Sequence, residues 1–402
     1  MNILVLSTSY PANRADYRGR FVHDLAESLA SRMHRVLVLT PHPGTKALPR
    51  EASSGVSVHR VGYPLQWRAA QGSLFGRFGV LETLRQQPWR AMEVVPALTA
   101  LSWQLLRRSS WAELVISNWA LPMGLLASLL RPHVSFKHLL IEHGAGARLL
   151  DSLVSSESLT RALLAGTDHL HFVSRTIAET FLNATGSSGL ITPSQTIHPM
   201  PAPPRHGASV VRLYRPPLRL LFVGRFVPIK GAEILLEALR HVPDAHLTLA
   251  GDGPGLATAR QFSQAHGLTS RVQFLGEVSF GRLPELYAQH DALIIPSRSL
   301  TSPAAGHAPP HEEGSPRTLL EGMAAGLVPI VSASGGMPDL IENSRNGLLF
   351  PPGDTATLAT LISHLQKQPA LCRRLSEEAR KTAARWSFES LYAMWRNCGI
   401  VV

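Results

Sequence analysis

The chain has 402 residues, 45% of them hydrophobic and 17% charged, which is typical of a globular protein long enough for two domains. Its two cysteines are too few for a disulfide framework or a zinc site, so we expect a reducing compartment. The net charge of +11 is concentrated in residues 1–210, which contain 20 Lys and Arg and 12 Asp and Glu. A basic half of the chain favours an anionic partner such as a phosphate or a membrane surface. The arginines are scattered and match no nucleic-acid-binding motif.

Short apolar runs alternate with amphipathic helical stretches along the first half of the chain. The first run, in MNILVLSTSYP, lacks the positive start of a signal peptide and ends at a proline, so we interpret it as a buried strand. No uncharged apolar run approaches the roughly 18–20 residues of a transmembrane helix, and we expect a cytoplasmic protein, soluble or peripheral at the inner face of the cell membrane. Strands are predicted at residues 3–7, 35–40, 56–60, 114–117, 138–142 and 169–173, with helices such as 21–31 and 121–130 between them.

The alternation restarts after PMPAPPRHG, a proline-rich stretch that cannot continue a helix or a central strand, and we place a linker at residues 201–210. Alternating short strands and helices predict an α/β protein with two parallel, doubly wound, Rossmann-like domains that face each other across a cleft. Strands are predicted at residues 219–223, 246–250, 272–275, 292–295, 328–331 and 347–350, and helices at about 231–241, 255–266, 316–325, 354–367 and, at the end of the chain, 376–397.

The segment EGSPRTLLEGMAAGLVPIV, residues 313–331, carries the strongest functional signal. Ser315 is a good N-cap and Pro316 a good first helical residue, so we expect a helix to begin there. The first turn of such a helix leaves the amides of Arg317 and Thr318 unpaired at the positive end of the helix dipole. The sequence therefore predicts an anion site at this turn.

Two carboxylates accompany this predicted anion site. Glu313 lies just before the turn and Glu321 lies within the helix. Carboxylates accept hydrogen bonds in pairs, which suits the vicinal hydroxyls of a sugar or a ribose. Either glutamate taken alone is also typical of an ordinary helix or helix-start carboxylate, whereas the segment as a whole favours a binding site.

The second signal is LLFVGRFVPIKGAEILLEAL, residues 220–239, in which a buried strand is followed by a loop and a helix. Gly224 gives the backbone conformational freedom at the turn after the strand, and Arg225 and Lys230 follow it on the loop. Two cations at the carboxyl edge of a parallel sheet are able to neutralise a diphosphate, although solvated loop charges are the commoner fate of such residues. The loop is not a Walker loop, and no GxGxxG follows the first strand, so ATP and nicotinamide chemistry are disfavoured.

His143 is the candidate in the first half of the chain. It follows the apolar run HLLIE and precedes Gly144, which places it at the carboxyl end of a predicted strand. The chain has 18 histidines, so position rather than residue type favours a functional role. Glu142 beside it is interpreted as structural.

Residues 64–110 interleave tryptophans and arginines with leucine and phenylalanine. This pattern fits a helix that lies in the interface of an anionic membrane, and it fits equally a helix that packs on the first sheet with its arginines outward. The residues that form the pattern are Trp67, Arg68, Arg77, Arg85, Trp89, Arg90, Trp103, Arg107 and Arg108.

Taken together, these segments resemble glycosyltransferase family 4, the group 1 glycosyltransferases, which have the GT-B fold. The resemblance covers essentially the whole chain. Its most specific carriers are the 313–331 segment and the stretch GGMPDLIENSRNGLLFPPGD that follows it. The other carriers are STSYPANRADYRGRFVHDLAESLA, IEHGAG, FVSRTIAETF, VGRFVPIKG, AGDGP and FLGEVS.

The resemblance implies a role for each candidate residue. Arg225 and Lys230 would hold the diphosphate of a nucleotide-sugar donor, and Glu321 its ribose hydroxyls. Glu313 and His143 would face the donor sugar. The donor-binding set would be completed by Gly19 in the first loop, Gly224, Phe274 and Val278 beside the base, and the backbone of Gly314, Ser315, Pro316, Arg317 and Thr318.

The domains and the reaction follow from the same resemblance. Residues 1–200 would form the acceptor-side domain, 211–385 the nucleotide-sugar domain, and 386–402 a terminal helix that returns to the first domain. The reaction would retain the anomeric configuration, with a glycan or lipid-linked acceptor and no essential metal or other cofactor. A single Gly19 after Arg18, where the family often has two glycines, leaves the contacts of the first loop open.

Two alternatives remain at the level of the sequence. One is an enzyme of the same fold that acts on a sugar nucleotide without transfer to an acceptor, such as an epimerase. A phosphorylase would need a lysine for pyridoxal phosphate, and lysine is rare here. The other is a catalytically inactive module of the same fold that serves as a binding partner. Retention of both glutamates, both cations and the histidine favours an active transferase over such a module.

Overall fold

The computed structural model describes residues 1–13, 16–44, 47–64, 73–75, 80, 83–84, 87–153, 157–186, 193–203, 212–300 and 312–402. The chain forms two compact units. The N-terminal unit comprises residues 1–173, 177–198 and 388–402, and the C-terminal unit comprises residues 174–176 and 199–387. Within the described parts of the chain, no helix has the length and apolar character needed to cross a bilayer.

The N-terminal unit is built on a sheet whose strand order is β3-β4-β2-β1-β5-β6-β7-β8. All neighbouring strands are parallel except β3, which pairs antiparallel with β4. The chain builds outward from β1 on one side and then continues from β5 on the other, so the strand order reverses between these two strands. The strands are β1 Asn2–Leu6, β2 Arg35–Pro41, β3 Arg50–Ser53, β4 Val56–Val61, β5 Leu114–Asn118, β6 Lys137–Glu142, β7 His169–Phe172 and β8 Ser194–Ile197.

Helices cover this sheet because its central strands are apolar on both faces. Ile3, Leu4 and Val5 of β1 are fully buried, as expected for a parallel strand packed on both sides. The described helices are α1 Arg20–Ala30, α2 Val94–Ser109, α3 Leu125–Leu130, α4 Ala145–Leu153, α5 Glu157–Ala165 and α6 Arg175–Ala184.

The C-terminal unit contains an entirely parallel sheet with the order β11-β10-β9-β12-β13-β14, which reverses between β9 and β12. Leu220 and Phe222 point into one apolar core and Leu221 into the other, as the two-residue period of a strand requires. The strands are β9 Leu218–Val223, β10 Ala245–Ala250, β11 Val272–Gly276, β12 Ala292–Ile295, β13 Val328–Ser332 and β14 Leu348–Phe350. The helices are α7 Ala232–Arg240, α8 Leu256–Ala265, α9 Leu283–Gln289, α10 Arg317–Ala324, α11 Thr355–Gln366 and α12 Pro369–Arg385.

The last helix, α13 (Phe388–Asn397), belongs to the N-terminal unit. Trp395 is 1% exposed, and its indole donates a hydrogen bond of 3.2 Å to Nδ1 of His171. The Tyr392 hydroxyl lies 2.8 Å from Nε2 of His34. The stretch 376–397, predicted as helical, is divided into two helices, because Trp386 leaves helical geometry and separates α12, which packs in one unit, from α13, which packs in the other.

The α/β class with two doubly wound sheets is confirmed, and each predicted strand is present within about a residue of its expected bounds. Two further strands were not predicted. β3 (REAS) is exposed along its whole length, and β8 (SQTI) has no buried residue. Both lie at sheet edges, where a strand does not need the apolar pattern that marks a central one.

We expect the N-terminal unit to lose stability as the pH falls. Burial lowers the pKa of His138 and of His169 to about 4, and it lowers that of His171 well below its ordinary value. In the unfolded chain these side chains take up a proton near pH 6.5, whereas in the folded chain they stay neutral. Below that pH, each histidine therefore lowers the free energy of unfolding by up to about 1.4 kcal/mol per pH unit. Urea midpoints measured between pH 7.5 and 5.0 should fall, and His169→Gln should make the fall shallower; a midpoint that does not change would contradict the neutral buried histidines.

Candidate functional site

The loops that follow β9 and β12 touch each other at the carboxyl edge of the C-terminal sheet, beside the reversal in strand order. The amide of Arg298 donates to the carbonyl of Ile229 at 2.8 Å. Gly231 has a φ of +63°, and a Cβ at this position would collide with the carbonyl oxygen of Pro296. Only glycine therefore allows the two loops to approach this closely.

Glu313 lies against both loops and is the centre of the candidate site. One carboxylate oxygen is ion-paired with Nζ of Lys230, and the other accepts a hydrogen bond of 2.6 Å from the hydroxyl of Ser297. The Glu313 side chain is only 12% exposed. Burial by itself raises the pKa of Glu313, but Lys230, the Ser297 hydroxyl and the Arg225 guanidinium outweigh burial and hold that pKa below its usual range.

Arg225 and Lys230 differ in their surroundings although both lie on the loop after β9. Lys230 is half-buried and held by Glu313. Arg225 is exposed and contributes to the field at Glu313 without a direct ion pair among the described residues. The loop thus presents one cation held by a carboxylate and one that is exposed to solvent.

A pair of glycines supports the backbone on which Glu313 is carried. The amide of Gly335 donates to the Glu312 carboxylate at 3.0 Å, and the amide of Gly336 donates to the Glu313 carbonyl at 3.0 Å. A Cβ on Gly335 would collide with the Glu313 carbonyl, and one on Gly336 would collide with that of Gly314. The GG of GGMPD therefore fixes the position of the 312–314 backbone.

The helix after Glu313 begins one residue later than predicted. Helix α10 starts at Arg317, and Pro316 is its N-cap with an extended ψ of 114°. The prediction of Ser315 as N-cap and Pro316 as first helical residue is wrong, because no side chain caps this helix. Proline fixes φ near helical values but leaves ψ free to stay extended, which moves the start by one residue. The backbone from Gly314 to Thr318 still leads directly from Glu313 into the first turn.

Glu321 is part of a separate buried group on α10. It is 6% exposed, and its carboxylate accepts a hydrogen bond of 2.8 Å from the hydroxyl of Tyr287 on α9. Arg317, one turn earlier, lies 3.6 Å from the other carboxylate oxygen. These partners orient the Glu321 carboxylate on α10.

The predicted base-binding residues lie where β11 ends. Phe274 is half-buried, with its ring centroid 6.3 Å from that of Phe226 and the guanidinium of Arg260 5.1 Å above it. Val278 is partly buried against one of the two apolar cores. Gly224, at the end of β9, is packed under the β10 loop, because a Cβ on Gly251 would collide with the Gly224 carbonyl.

His143 lies at the carboxyl end of β6 in the N-terminal unit, with its ring in contact with two aromatic rings. Its centroid is 4.6 Å from that of Phe21 and 5.3 Å from that of Trp119. Asn118 donates through Nδ2 to the Leu6 carbonyl at 3.0 Å, so its Oδ1 is left to accept from Nε2 of His143 at 2.9 Å. Nδ1 of His143 is then the acceptor nitrogen, because burial lowers the pKa of the ring to about 3 and keeps it neutral.

Gly19 and Glu142 shape the backbone around this histidine. Gly19 immediately precedes α1, has a φ of +61°, and has no room for a Cβ because the Ser9 carbonyl lies against it. The fully buried Glu142 accepts hydrogen bonds from the amides of Ala120 and Gly144 at 2.7 and 2.6 Å. Glu142 therefore has a structural role in the loop that carries His143.

The structure groups the predicted residues by unit. The C-terminal unit brings Arg225, Lys230 and Glu313 together and holds Glu321 beside Tyr287, while Gly19 and His143 belong to the N-terminal unit. Sequence reasoning missed the partners that orient these groups. Those partners are Ser297, Tyr287 and Asn118.

Part of the predicted membrane pattern lies outside the described residues, namely Trp67, Arg68, Arg77 and Arg85, as do residues 301–311, which precede Glu312. Among the described residues, the side chains close enough to share a metal ion are His23, Asp24 and Glu27 of α1. Asp24 of this group is already ion-paired with Arg20 at 3.1 Å.

Two family models match the chain and together span most of it. "Glycosyl transferases group 1" matches residues 210–382, and "Glycosyl transferase 4-like domain" matches residues 19–194. An uncharacterized glycosyltransferase of Methanocaldococcus jannaschii is 25% identical over 70% of this chain and 73% of its own length. A GDP-mannose-dependent alpha-(1-6)-phosphatidylinositol monomannoside mannosyltransferase of Mycobacterium tuberculosis is 28% identical over 70% of this chain and 74% of its own.

Solved structures with the same fold cover essentially the whole chain. Sucrose-phosphate synthase from Thermosynechococcus elongatus aligns with a TM-score of 0.73 at 20% identity and covers 99% of both chains. The Anabaena protein HepE, solved in complex with UDP and glucose, aligns with a TM-score of 0.70 at 17% identity over 100% of both chains. At these identities the likeness concerns the fold.

Two alanine variants test the close contact between the β9 and β12 loops. Gly267→Ala should lower the free energy of unfolding by about 1–2 kcal/mol, since its φ is +67° but its surroundings are open. Gly231→Ala has nearly the same φ, and it should cost more because its Cβ would also collide with the Pro296 carbonyl. Urea denaturation of both variants measures the difference, and equal losses would show that the loops do not depend on this contact.

Proposed function

The chain belongs to the group 1 glycosyltransferases and has the GT-B fold, and from this premise we propose that it transfers a sugar from a nucleoside diphosphate sugar to an acceptor hydroxyl with retention of anomeric configuration. The observation that carries the proposal is the arrangement of Arg225, Lys230, Ser297 and Glu313 at the reversal of strand order in the C-terminal sheet. Ligands of open α/β sheets bind at this edge, outside the carboxyl ends of the strands.

The proposed catalytic effect is stabilisation of the leaving group. As the bond between the anomeric carbon and the phosphate oxygen breaks, negative charge grows on the diphosphate, and Arg225 and Lys230 stabilise that charge. The acceptor oxygen forms its bond on the same face of the sugar, and its proton passes to the departing phosphate oxygen. Glu313 keeps Lys230 in place before the donor arrives, and this preorganisation avoids reorientation of the cation during the reaction.

His143 is proposed to act as a neutral hydrogen-bond acceptor toward a sugar hydroxyl. Its Nε2–H is engaged by Asn118, and burial lowers the pKa of the ring to about 3, so a cationic role is disfavoured at neutral pH. The plot of transfer activity against pH should therefore show no rise or fall caused by titration of His143 between pH 6 and 8.

The relatives suggest candidate substrates. HepE was solved with UDP and glucose, and the mycobacterial relative is named as GDP-mannose-dependent and as acting on a phosphatidylinositol mannoside. We propose UDP- and GDP-sugars as the first donors to screen, and a polysaccharide or lipid-linked glycan intermediate at the inner face of the cell membrane as the acceptor. Hydrolysis of the donor without acceptor would separate an active enzyme from an inactive binding module, and formation of an isomeric sugar nucleotide would favour an epimerase-like reaction.

Replacement of Arg225 by alanine should lower kcat by about 10²–10³-fold and weaken binding of the nucleoside diphosphate, because this cation faces the growing charge. Lys230→Ala should do the same and should in addition raise the pKa of Glu313, which loses its ion pair. Arg240→Ala is the matched control. It removes an exposed arginine, paired with Glu237, at the far end of α7.

Calorimetry with UDP and GDP, alongside steady-state transfer, checks this prediction. If Arg225→Ala and Lys230→Ala bind the diphosphate as well as the unchanged protein does, the loop after β9 is not the phosphate site. Equal losses in Arg240→Ala would show that the effect is a general consequence of lost positive charge.

The two glutamates should separate in the same pair of assays. Glu321→Ala should chiefly weaken nucleotide binding, since contacts with the ribose change little during the reaction. Glu313→Gln should chiefly lower turnover, because its proposed partner is the sugar, and it should weaken binding of the free nucleoside diphosphate less than Glu321→Ala does, through the loss of the ion pair that holds Lys230. A Glu313→Gln variant with full turnover would remove this residue from the proposed sugar contacts.

Transfer is expected to survive EDTA, because the charge on the diphosphate is met by Arg225, Lys230 and the first turn of α10 rather than by a carboxylate-bound cation. Activity measured before and after chelation tests this expectation. Loss with EDTA that magnesium or manganese restores would contradict it. The variant Glu27→Gln would then show whether the group on α1 is responsible.

A further inference from the structure

The N-terminal sheet reverses its strand order between β1 and β5, and three aromatic side chains meet at its carboxyl edge beside this reversal. Phe21 lies in the first turn of α1, which follows β1, while Trp119 directly follows β5 and His143 directly follows β6. The ring centroids of Phe21 and Trp119 are 5.9 Å apart, with the rings at 81° to each other. Each of the three side chains is partly exposed. We name Phe21, Trp119 and His143 the aromatic platform.

The backbone of Trp119 has a conformation that bulky residues rarely adopt. Its φ is +69° and its ψ is 136°, close to a region that is essentially reserved for glycine. This conformation costs free energy that a glycine would not lose. Strained backbone of this kind is concentrated at catalytic sites and ligand clamps. The strain therefore indicates that the indole at this position has a role in binding rather than in packing alone.

The structure around Trp119 imposes this conformation from both sides. Before it, Asn118 donates through Nδ2 to the Leu6 carbonyl at 3.0 Å and so joins the end of β5 to the end of β1. After it, the amide of Ala120 donates to the buried Glu142 carboxylate at 2.7 Å. Asn118 and Ala120 are both 0% exposed. Of these three consecutive residues, only Trp119 reaches solvent, and it does so from a backbone that is fixed at both ends.

Glu142 also fixes two members of the platform relative to each other. One of its carboxylate oxygens accepts from the amide of Ala120, and the other accepts from the amide of Gly144 at 2.6 Å. Ala120 follows Trp119 in the chain, and Gly144 follows His143. One buried carboxylate thus holds together the two loops that carry the rings, and Glu142 is a positioning residue for the platform.

The chemistry of the platform suits the face of a sugar ring. Burial lowers the pKa of His143 to about 3, so none of the three rings carries a charge at neutral pH. The π face of an indole is negatively polarised and attracts the polarised C–H groups on one face of a pyranose. Aromatic side chains that line a cleft, with a few polar groups beside them, are typical of small-ligand sites.

We propose that the aromatic platform is the binding site for a pyranose ring of the acceptor, which stacks with its C–H face on the indole of Trp119. The platform lies beside the reversal of strand order, where ligands of open α/β sheets bind. This inference rests on the proposed function, since it names the part of the acceptor that the chain recognises.

The donor sugar is the competing occupant of the platform. The groups assigned to the donor nucleotide, Arg225, Lys230 and Glu321, belong to the C-terminal unit. In the N-terminal unit, the family resemblance assigns His143 to the donor sugar, and the ring centroid of His143 is 5.3 Å from that of Trp119. A pyranose on Trp119 therefore lies next to the donor sugar rather than in its place, which is where an acceptor hydroxyl has to be for transfer.

Saturation-transfer NMR with the full chain tests the proposal. The probes are methyl α-D-mannopyranoside, methyl β-D-glucopyranoside and methyl β-D-galactopyranoside, each in the presence of UDP or GDP. We expect at least one pyranoside to bind, with the strongest saturation transfer at the C–H protons of the stacked face.

Variants at Trp119 should weaken the binding of that pyranoside in a defined order. Trp119→Ala should weaken it about tenfold because the stacked ring is lost, whereas Trp119→Phe, which retains an aromatic ring, should weaken it about threefold. Trp119→Gly adopts the same φ without strain, so it should bind as weakly as Trp119→Ala but unfold at a higher urea concentration. Trp103→Ala is the matched control, since Trp103 is a 58% exposed tryptophan on α2 of the same unit and its loss should leave binding unchanged.

Three results would overturn the proposal. The first is the absence of saturation transfer to any of the three pyranosides. The second is binding by Trp119→Ala or Trp119→Gly that equals binding by the unchanged chain. The third is displacement of the pyranoside by the 2-fluoro analogues of UDP-glucose or GDP-mannose when UDP and GDP do not displace it, which would assign the platform to the donor sugar.

Hydrolysis of UDP-glucose and GDP-mannose by the unchanged chain, measured in parallel, separates this proposal from the proposed function. Hydrolysis without pyranoside binding would overturn the platform alone. Pyranoside binding that depends on Trp119, in a chain that hydrolyses neither donor, would overturn only the proposed function.

Discussion

The candidate site depends on one interaction, the compensation of the Glu313 carboxylate. A carboxylate that is largely removed from water stays ionised only if cations and hydrogen-bond donors replace the lost solvent. Lys230 and Ser297 supply these partners from two different loops, and Arg225 adds to the field. Because the partners follow β9 and β12, ionised Glu313 ties together the two strands between which the sheet reverses its order, and it holds an ammonium at the place where the proposed diphosphate would bind.

Close backbone contacts make this compensation geometrically achievable. Gly231 lets the β9 loop lie against the β12 loop, and Gly335 and Gly336 let the Glu313 backbone lie on the loop after β13. A side chain at any of these glycines would push the charged groups apart by more than a hydrogen bond tolerates. The N-terminal unit uses the same device at Gly19, where the backbone before α1 lies against the Ser9 carbonyl. In each unit the fold thus fixes polar groups at the carboxyl edge of a parallel sheet through contacts that only glycine permits.

The sequence was sufficient for the parts of the molecule that periodicity and turn chemistry determine. The run predicted as a strand at residues 3–7 forms β1 at Asn2–Leu6, and Gly224, Arg225 and Lys230 lie, as expected, on the loop at the carboxyl edge of a sheet. The sequence was not sufficient where tertiary packing determines the orientation of a side chain. Ser297 and Tyr287 orient the two glutamates from positions distant in sequence, and neither residue type carries a pattern that marks this role. Helix α10 begins one residue after the predicted start, because Pro316 has the φ of a helical residue but an extended ψ.

The central claim is that the carboxyl edge of the C-terminal sheet is the donor site and that Glu313 holds Lys230 ready for the diphosphate. The most direct test is a crystal structure of the chain with bound UDP or GDP. The account predicts diphosphate oxygens within hydrogen-bond distance of Arg225 and Lys230 and ribose hydroxyls on Glu321. A nucleotide bound elsewhere in the chain, or one at this edge whose phosphates contact neither Arg225 nor Lys230, would contradict it.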